Sequence, residues 1–189
     1  LAHLNNRVYH YDIEVDTEAA LVWMLDNGVD PMVVAFLRLR RDLVQKFDPD
    51  ARASPTCRAW TQFGTEVPRD LPRDLYLMTA IGKLGEGAAV ELVAALDMMH
   101  KMPNIDEIRA RPADVEVPSE PSVRYAVATC MSMSTTPDLF AVDIQYISRM
   151  PAEFQMVYVY DATRLNPDLA ASPDYIKWAV ANQNTFMGA

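Results

Sequence analysis

The sequence is poor in the residue types that build metal sites and disulfide frameworks. It has two cysteines, Cys57 and Cys130, and three histidines among its 189 residues. Two cysteines this far apart give neither the spacing of a zinc site nor a disulfide framework. No pair of histidines has ligand spacing either. We therefore expect free thiols in a reducing, cytoplasmic setting, and no metal bound by this chain.

Long apolar runs and basic residues are also scarce. No apolar run approaches the ~20 residues that a membrane-spanning helix needs, so we expect no membrane partner. The chain has 17 basic and 26 acidic residues, for a formal net charge of -9. An acidic surface repels nucleic acid unless a local basic patch overrides it. The densest basic run, residues 38–41, is followed at once by Asp42, so we expect no nucleic-acid partner.

What the sequence does contain is a series of helix-start signals. A capping residue followed by proline occurs at residues 30–31, 54–55, 136–137, 166–167 and 172–173. Proline suits the first helical position, where its missing N–H costs nothing. These signals and the apolar periodicity predict a mainly α chain. The ten predicted helices cover about 16–27, 31–46, 56–66, 72–82, 86–101, 104–110, 120–133, 137–149, 151–163 and 173–183. The three tryptophans, Trp23, Trp60 and Trp178, fall on these helices and are predicted to pack in the core.

One segment has the pattern of a strand. Residues 7–15 alternate β-branched or aromatic residues with polar ones. A single strand needs partners, which we expect upstream of Leu1 or in another chain. The first residue is not methionine, so we expect the chain to begin inside a longer polypeptide or to be processed. Arg7 opens the strand, and it is either an arginine finger that stabilises a transferring phosphoryl group or an ordinary surface arginine.

Arg58 is the main candidate for chemistry. If Thr56 or Ser54 caps the helix, Arg58 lies in the first turn, where the helix dipole disfavours a cation. A fixed guanidinium beside a helix N-terminus suits a phosphate, because both supply N–H donors and positive potential. The alternative is an ion pair with a neighbouring carboxylate, from Asp48, Asp50 or Glu66.

A glycine-rich stretch, residues 82–87, is similar to a phosphate-binding loop but lacks an essential residue. The loop needs Ser or Thr directly after its lysine to bind the metal, and Leu84 stands there. We interpret Gly82 as the end of one helix and residues 85–87 as a tight turn.

Several segments together resemble the C-terminal part of a MoxR-like AAA+ ATPase. They are residues 4–7 (LNNR), 47–50 (FDPD), 54–60 (SPTCRAW), 85–89 (GEGAA) and 151–155 (PAEFQ). In that family a short N-R motif closes the ATPase core before its last strand, and the helices that follow form a lid over the nucleotide. The resemblance covers most of the chain.

The resemblance implies roles for particular residues. Arg58 would be the sensor-2 arginine that contacts the γ-phosphate, with Pro55 and Thr56 beside it in the nucleotide site. Arg7 would be the N-R arginine, which in related ATPases can act across the subunit interface as a finger. Relatives usually have proline where Cys57 stands, and we expect that exchange to loosen the helix start.

The resemblance also implies an organisation. Residues 1–15 would be the last strand of the truncated α/β core, 16–111 the helical lid, and 112–189 a C-terminal helical extension. ATP and Mg²⁺ would be bound mainly by the missing core, with none expected for the fragment alone. The partners would be the upstream core, the neighbouring subunits of a hexamer and an unknown client protein. The alternative is a non-enzymatic, all-helical protein-interaction module, which the acidic helical extension and the lack of a self-contained active site support.

Overall fold

The computed structural model describes residue 9 and residues 15–183. In this part the chain is mainly helical, with ten α-helices, two short 3₁₀ helices and no strand. The α-helices are α1 Thr17–Asp26, α2 Pro31–Leu39, α3 Cys57–Glu66, α4 Arg73–Leu84, α5 Glu86–Met99, α6 Ile105–Ala110, α7 Pro121–Met133, α8 Phe140–Ile147, α9 Ala152–Leu165 and α10 Pro173–Ala181. The predicted strand falls mostly outside the described residues, and Arg7 falls wholly outside them.

Side-chain caps begin several of these helices, as the sequence predicts. The Asp16 carboxylate accepts the Ala19 N–H at 3.0 Å, and the Asp30 carboxylate accepts the Met32 N–H at 2.8 Å. Asn104 caps α6 and Ser172 caps α10 in the same way. Each cap satisfies a backbone donor that the first helical turn leaves unpaired. With Thr56 at α3, side-chain caps begin five of the ten described α-helices.

Helix ends depart from prediction where tertiary contacts compete with the helix. The helix predicted over 31–46 ends at Leu39, and a 3₁₀ turn, Arg41–Leu43, follows it. The Leu43 carbonyl there accepts the indole N–H of Trp60 at 2.7 Å. A long-range hydrogen bond thus replaces one that a continuing helix would have made.

The buried apolar residues form two clusters that meet at α7. The first is built mainly by α1 to α5, and its largest buried side chains include Trp60, Phe36 and Phe63. The second is built mainly by α7, α8 and α9, around Phe140 and Tyr158. Helix α7 packs on α2 on one side and on α9 on the other. None of the described helices combines the length and apolarity needed to cross a bilayer.

Among the described residues, one buried and one partly buried ion pair connect different helices. Arg38 of α2 is 2% exposed, and its Nη2 lies 2.6 Å from both carboxylate oxygens of Asp161 on α9. Arg109 of α6 donates to Asp143 of α8 at 2.8 and 2.9 Å. Part of the basic run at residues 38–41 is therefore buried inside the molecule and is not a surface patch.

Candidate functional site: the start of helix α3

Helix α3 is held in a fixed orientation by Trp60. The Trp60 side chain is fully buried, its indole N–H donates to the Leu43 carbonyl, and its ring lies 5.8 Å from that of Phe36. Successive helical residues are rotated by about 100°, so a residue two positions earlier lies about 200° around the helix. Arg58 accordingly points away from the core and is exposed.

Arg58 lies in the first turn of α3, as predicted. The cap is Thr56 and not Ser54: the Thr56 hydroxyl oxygen accepts the Ala59 N–H at 3.2 Å. Arg58 forms no ion pair with any residue in the described part of the chain. Asp48, one of the alternative partners, instead accepts the backbone N–H of Asp50 at 3.0 Å. The guanidinium is therefore available to a ligand or to another protein segment.

The Arg58 side chain borders an open cleft between α1 and α3. The cleft has a volume of about 410 Å³ and is lined by Ala20, Trp23, Met24, Cys57, Arg58, Thr61 and Gln62. None of these residues carries a carboxylate. Trp23 is 54% exposed, so its predicted place in the core was wrong. The cleft thus combines a guanidinium that has no ion pair among residues 15–183 with an exposed aromatic side chain.

Cys57 forms two hydrogen bonds at the start of helix α3. Its backbone N–H donates to the Gln45 side-chain oxygen at 3.0 Å, and its thiol donates to the Val44 carbonyl at 3.5 Å. Proline at this position would lose the first of these bonds, because it has no N–H. Partial burial also raises the pKa of the Cys57 thiol. Contacts from residues 44 and 45 therefore hold Cys57 at the helix start.

The structure separates Pro55 from Arg58. The Pro55 carbonyl accepts the Lys46 N–H at 2.7 Å, and Pro55 lines a neighbouring cleft of about 270 Å³. The Thr56 hydroxyl oxygen is engaged in the helix cap. Of the three residues predicted to contact nucleotide, only Arg58 lines the cleft between α1 and α3.

Three of the segments that carry the family resemblance meet at this end of α3. The Ser54 hydroxyl accepts the Asp48 N–H at 3.1 Å and donates to the Asp48 carbonyl at 3.2 Å. Gly85 has a φ of 87°, and a Cβ there would lie 2.9 Å from the Ala53 carbonyl oxygen. Residues 47–50, 54–60 and 85–89 therefore form one continuous support for the helix start.

The glycine-rich stretch has a packing role in this support. Gly82 lies within α4 and does not end it, since the helix continues to Leu84. The Lys83 ammonium donates to the Gln62 side-chain oxygen at 2.5 Å and so joins α4 to α3. Lys83, the lysine of the segment that is similar to a phosphate-binding loop, thus forms a hydrogen bond between two helices.

Sequence reasoning missed a polar network buried around Asp143. Asp143 is fully buried, and it accepts hydrogen bonds from Thr135 at 2.7 Å and Tyr158 at 3.2 Å, besides those from Arg109. Burial, followed by the charge of Asp143, raises the pKa of the Tyr158 hydroxyl. These groups come from four separated segments, so no local sequence motif predicts that they meet. Every polar group of the network has a partner, which is typical of a structural role.

No cluster of three or more His, Cys, Asp or Glu side chains suited to a metal ion occurs in residues 15–183. An exposed guanidinium at a helix start is suited to an anion, and the adjacent indole offers a flat apolar surface. Comparison with protein-family models, with curated proteins and with solved structures found no match.

Proposed function

We propose that this chain is the helical lid and C-terminal extension of a MoxR-like AAA+ ATPase, and that Arg58 reaches the γ-phosphate of bound ATP. One observation carries the proposal: Arg58, exposed and without an ion pair among the described residues, stands in the first turn of a helix whose orientation Trp60 fixes. Because the helix backbone is held in place, only the Arg58 side chain has to be ordered when a phosphate arrives. The family resemblance of residues 54–60 supports the same role.

In this proposal, the contacts between α3 and neighbouring elements transmit movement from Arg58 to the rest of the lid. Trp60 joins α3 to the turn after α2, and Lys83 joins it to α4. A force on Arg58 therefore acts on several helices at once. The ATP supplies the γ-phosphate whose loss on hydrolysis removes Arg58's partner, and the lid then relaxes relative to the core. Neighbouring subunits of a hexamer would respond to this displacement and remodel a client protein.

The residues present fit part of a nucleotide site. Arg58 has free donors, whereas Thr56 and Pro55 serve the helix start and would act on nucleotide only through Arg58. In this proposal the phosphate-binding loop and the Mg²⁺ ligands belong to the upstream core. Arg7, outside the described residues, is proposed as a finger that acts on the neighbouring subunit's nucleotide.

The test is ATP hydrolysis by the full-length protein that contains the core. We expect Arg58→Ala to lower the turnover number by about 100-fold, the scale seen when one charge-stabilising donor is removed. Circular dichroism should stay unchanged, because Arg58 has no partner in the described chain. Arg52→Ala is the matched control, since Arg52 is also exposed and forms no described ion pair. Equal turnover for Arg58→Ala and wild type would refute the sensor role.

The finger role of Arg7 has its own test. Arg7→Ala subunits mixed with active subunits should depress turnover more than their share of the mixture, because each finger acts across an interface. Turnover that falls only in proportion to the mutant fraction would exclude that role.

One feature favours the alternative, a non-enzymatic interaction module. Helix α4 carries three exposed apolar residues along one face, Leu75, Met78 and Ile81, and Met78 is 67% exposed. Such a stripe on a helix is typical of a surface that packs against another protein. A full-length protein that hydrolyses no ATP would favour this module over the ATPase.

A further inference from the structure

We propose that Gln62 of α3 supplies a second hydrogen-bond donor to the phosphate that Arg58 binds, and that Lys83 of α4 orients this donor. The proposal rests on the nucleotide role proposed above for Arg58. Both Arg58 and Gln62 line the cleft between α1 and α3. They lie four positions apart on one helix and so share a face, with about 5–6 Å between their Cβ atoms. Their side chains can therefore meet at one phosphate group.

Two other polar side chains of the cleft already donate within the chain. The Cys57 thiol donates to a backbone carbonyl at 3.5 Å, and the Thr61 hydroxyl donates to the backbone carbonyl of Cys57 at 2.9 Å. On the α3 wall, Arg58 and Gln62 are then the residues whose side-chain N–H groups bond no other described residue. The indole N–H of Trp23 belongs to the other wall, on α1.

The contact with Lys83 fixes which way the Gln62 amide faces. The Lys83 ammonium donates to the Gln62 Oε1 at 2.5 Å. An ammonium group only donates, so the amide must turn its oxygen towards Lys83 and its NH₂ group away from it. Lys83 lies outside the lining of the cleft, which leaves the NH₂ group on the side of the cleft. The nearby positive charge also polarises the amide and strengthens its N–H donors.

The charges around the cleft favour an anion. None of the residues that line it carries a carboxylate. Neither Arg58 nor Lys83 forms an ion pair with another residue in the described part of the chain. Lys83 is half-buried, and an ammonium whose partner is a neutral amide gains from an anion bound nearby. The positive charge on this side of α3 therefore selects a phosphate over a neutral group.

The second donor belongs to a different helix pair than Arg58 alone does. Arg58 is an exposed side chain on α3, whereas Gln62 is hydrogen-bonded to α4 through Lys83. In this proposal, a phosphate bound by both residues contacts α3 directly and α4 through one intermediate hydrogen bond. Loss of the γ-phosphate would then change the contacts of both helices.

The test is the affinity of the full-length protein for a non-hydrolysable ATP analogue relative to ADP, measured by calorimetric titration. Gln62→Met should reduce the preference for the analogue about ten-fold, the scale of one hydrogen bond to a charged acceptor. Lys83→Met should reduce it about three-fold, because the amide remains but loses its orientation. The double variant should match Gln62→Met within about two-fold, since Lys83 acts through Gln62. Gln145→Met, at an exposed glutamine of α8, is the matched control and should keep the wild-type preference.

Gln62→Glu separates donation to a phosphate from the contact between helices. A glutamate keeps the contact with Lys83 as an ion pair but has no N–H group to donate. It should lower the preference for the analogue at least about ten-fold, while the denaturant midpoint stays no lower than that of wild type. A purely structural role of Gln62 predicts a lower midpoint for Gln62→Met together with an unchanged nucleotide preference, and that result would overturn the proposal.

Arg58→Ala in the same series distinguishes the role of Gln62 from the role of Arg58. A wild-type preference in Arg58→Ala would exclude the sensor role, and the role of Gln62 with it. If Arg58→Ala loses the preference and Gln62→Met keeps it, only the second donor is excluded. A double variant clearly weaker than Gln62→Met would show that Lys83 does not act through Gln62.

Discussion

At the Arg38–Asp161 ion pair, burial and the attraction between the charges act on the Asp161 carboxyl in opposite directions. Burial raises the pKa of the Asp161 carboxyl to about 6, although the Arg38 guanidinium acts in the opposite direction. Two nitrogens of Arg38, Nε and Nη1, have no hydrogen-bond partner in the described part of the chain. The desolvation of these groups therefore outweighs the attraction between them. A pair of this kind specifies which helices meet more than it stabilises the fold.

Replacing one partner should harm the protein more than replacing both. Arg38→Met and Asp161→Leu should each lower the free energy of unfolding by about 3–5 kcal/mol, because each leaves a buried group without its partner. The double variant should recover most of that loss. Denaturant unfolding measures all three, with Arg111→Ala, an exposed partner of Glu107, as a control expected within about 0.5 kcal/mol of wild type. A double variant as unstable as the singles would show that the pair itself stabilises the fold.

The two thiols should be unreactive near neutral pH. Burial raises the pKa of Cys57, and burial with the nearby charge of Asp30 raises that of Cys130 to about 11. Because the thiolate is the nucleophile, a raised pKa leaves less of it at a given pH. At about pH 8, iodoacetamide should label both more slowly in the folded chain than in the unfolded chain, with Cys130 the slower. Mass spectrometry of timed samples measures this, and equal rates for folded and unfolded Cys130 would contradict it.

At the scale of the element, the segment that leads into helix α3 packs against a glycine that lies outside the helix. Gly85 lies between α4 and α5 with a φ of 87°, a conformation that other residues rarely adopt, and it packs against the Ala53 carbonyl just before α3. A side chain at Gly85 would push this support away. Gly87 lies in the first turn of α5, and a Cβ added there would have no other described atom within 4 Å.

This difference gives a matched pair of substitutions. Gly85→Ala should lower the free energy of unfolding by about 1–3 kcal/mol, through backbone strain and the clash with Ala53. Gly87→Ala should raise it by about 0.5–1 kcal/mol, because alanine favours the helix. Thermal and denaturant unfolding measure both. Changes of the same sign in the two variants would contradict this interpretation of Gly85.

Elements with local signals were predictable from the sequence, and those that depend on distant contacts were not. The capping residues Asp16, Asp30 and Asn104 predict where their helices begin, since each accepts a backbone N–H two or three residues later. The 3₁₀ turn after α2 could not be predicted, because its Leu43 carbonyl bonds the Trp60 indole, which is distant in sequence. The exposure of Trp23 was missed for a similar reason: its apolar neighbours are buried, but the side chain itself borders a cleft.

At the scale of the whole molecule, α7 joins the two apolar clusters. Ala126 belongs to the first cluster and Val127 to the second, so adjacent residues of one helix serve both. The Arg38–Asp161 pair connects α2 to α9 across the same boundary. These contacts predict that the described part of the chain unfolds as one cooperative unit.

A single tryptophan can test this cooperativity. In the variant Trp23→Phe with Trp178→Phe, only Trp60 of the first cluster fluoresces, whereas circular dichroism reports all the helices. The two signals should have the same denaturant midpoint. A midpoint for Trp60 fluorescence that differs clearly from the circular dichroism midpoint would show that the clusters unfold separately.

The position of Arg58 was accessible from the sequence, whereas the buried polar contacts were not. Arg58 was predictable because its position follows from a local cap and a short motif. The polar network around Asp143 was not, since four separated segments supply its side chains. The salt-bridge alternative for Arg58 also needed the structure, which shows no carboxylate paired with it in the described chain.

The central claim is that Arg58 senses the γ-phosphate, and the relative affinity for two nucleotides tests it most directly. The full-length protein should bind a non-hydrolysable ATP analogue more tightly than ADP. Arg58→Ala should reduce that preference by about ten-fold, the loss of one charge-assisted contact, and should leave the affinity for ADP unchanged. Arg52→Ala should keep the wild-type preference. An undiminished preference for the ATP analogue in Arg58→Ala would contradict the account.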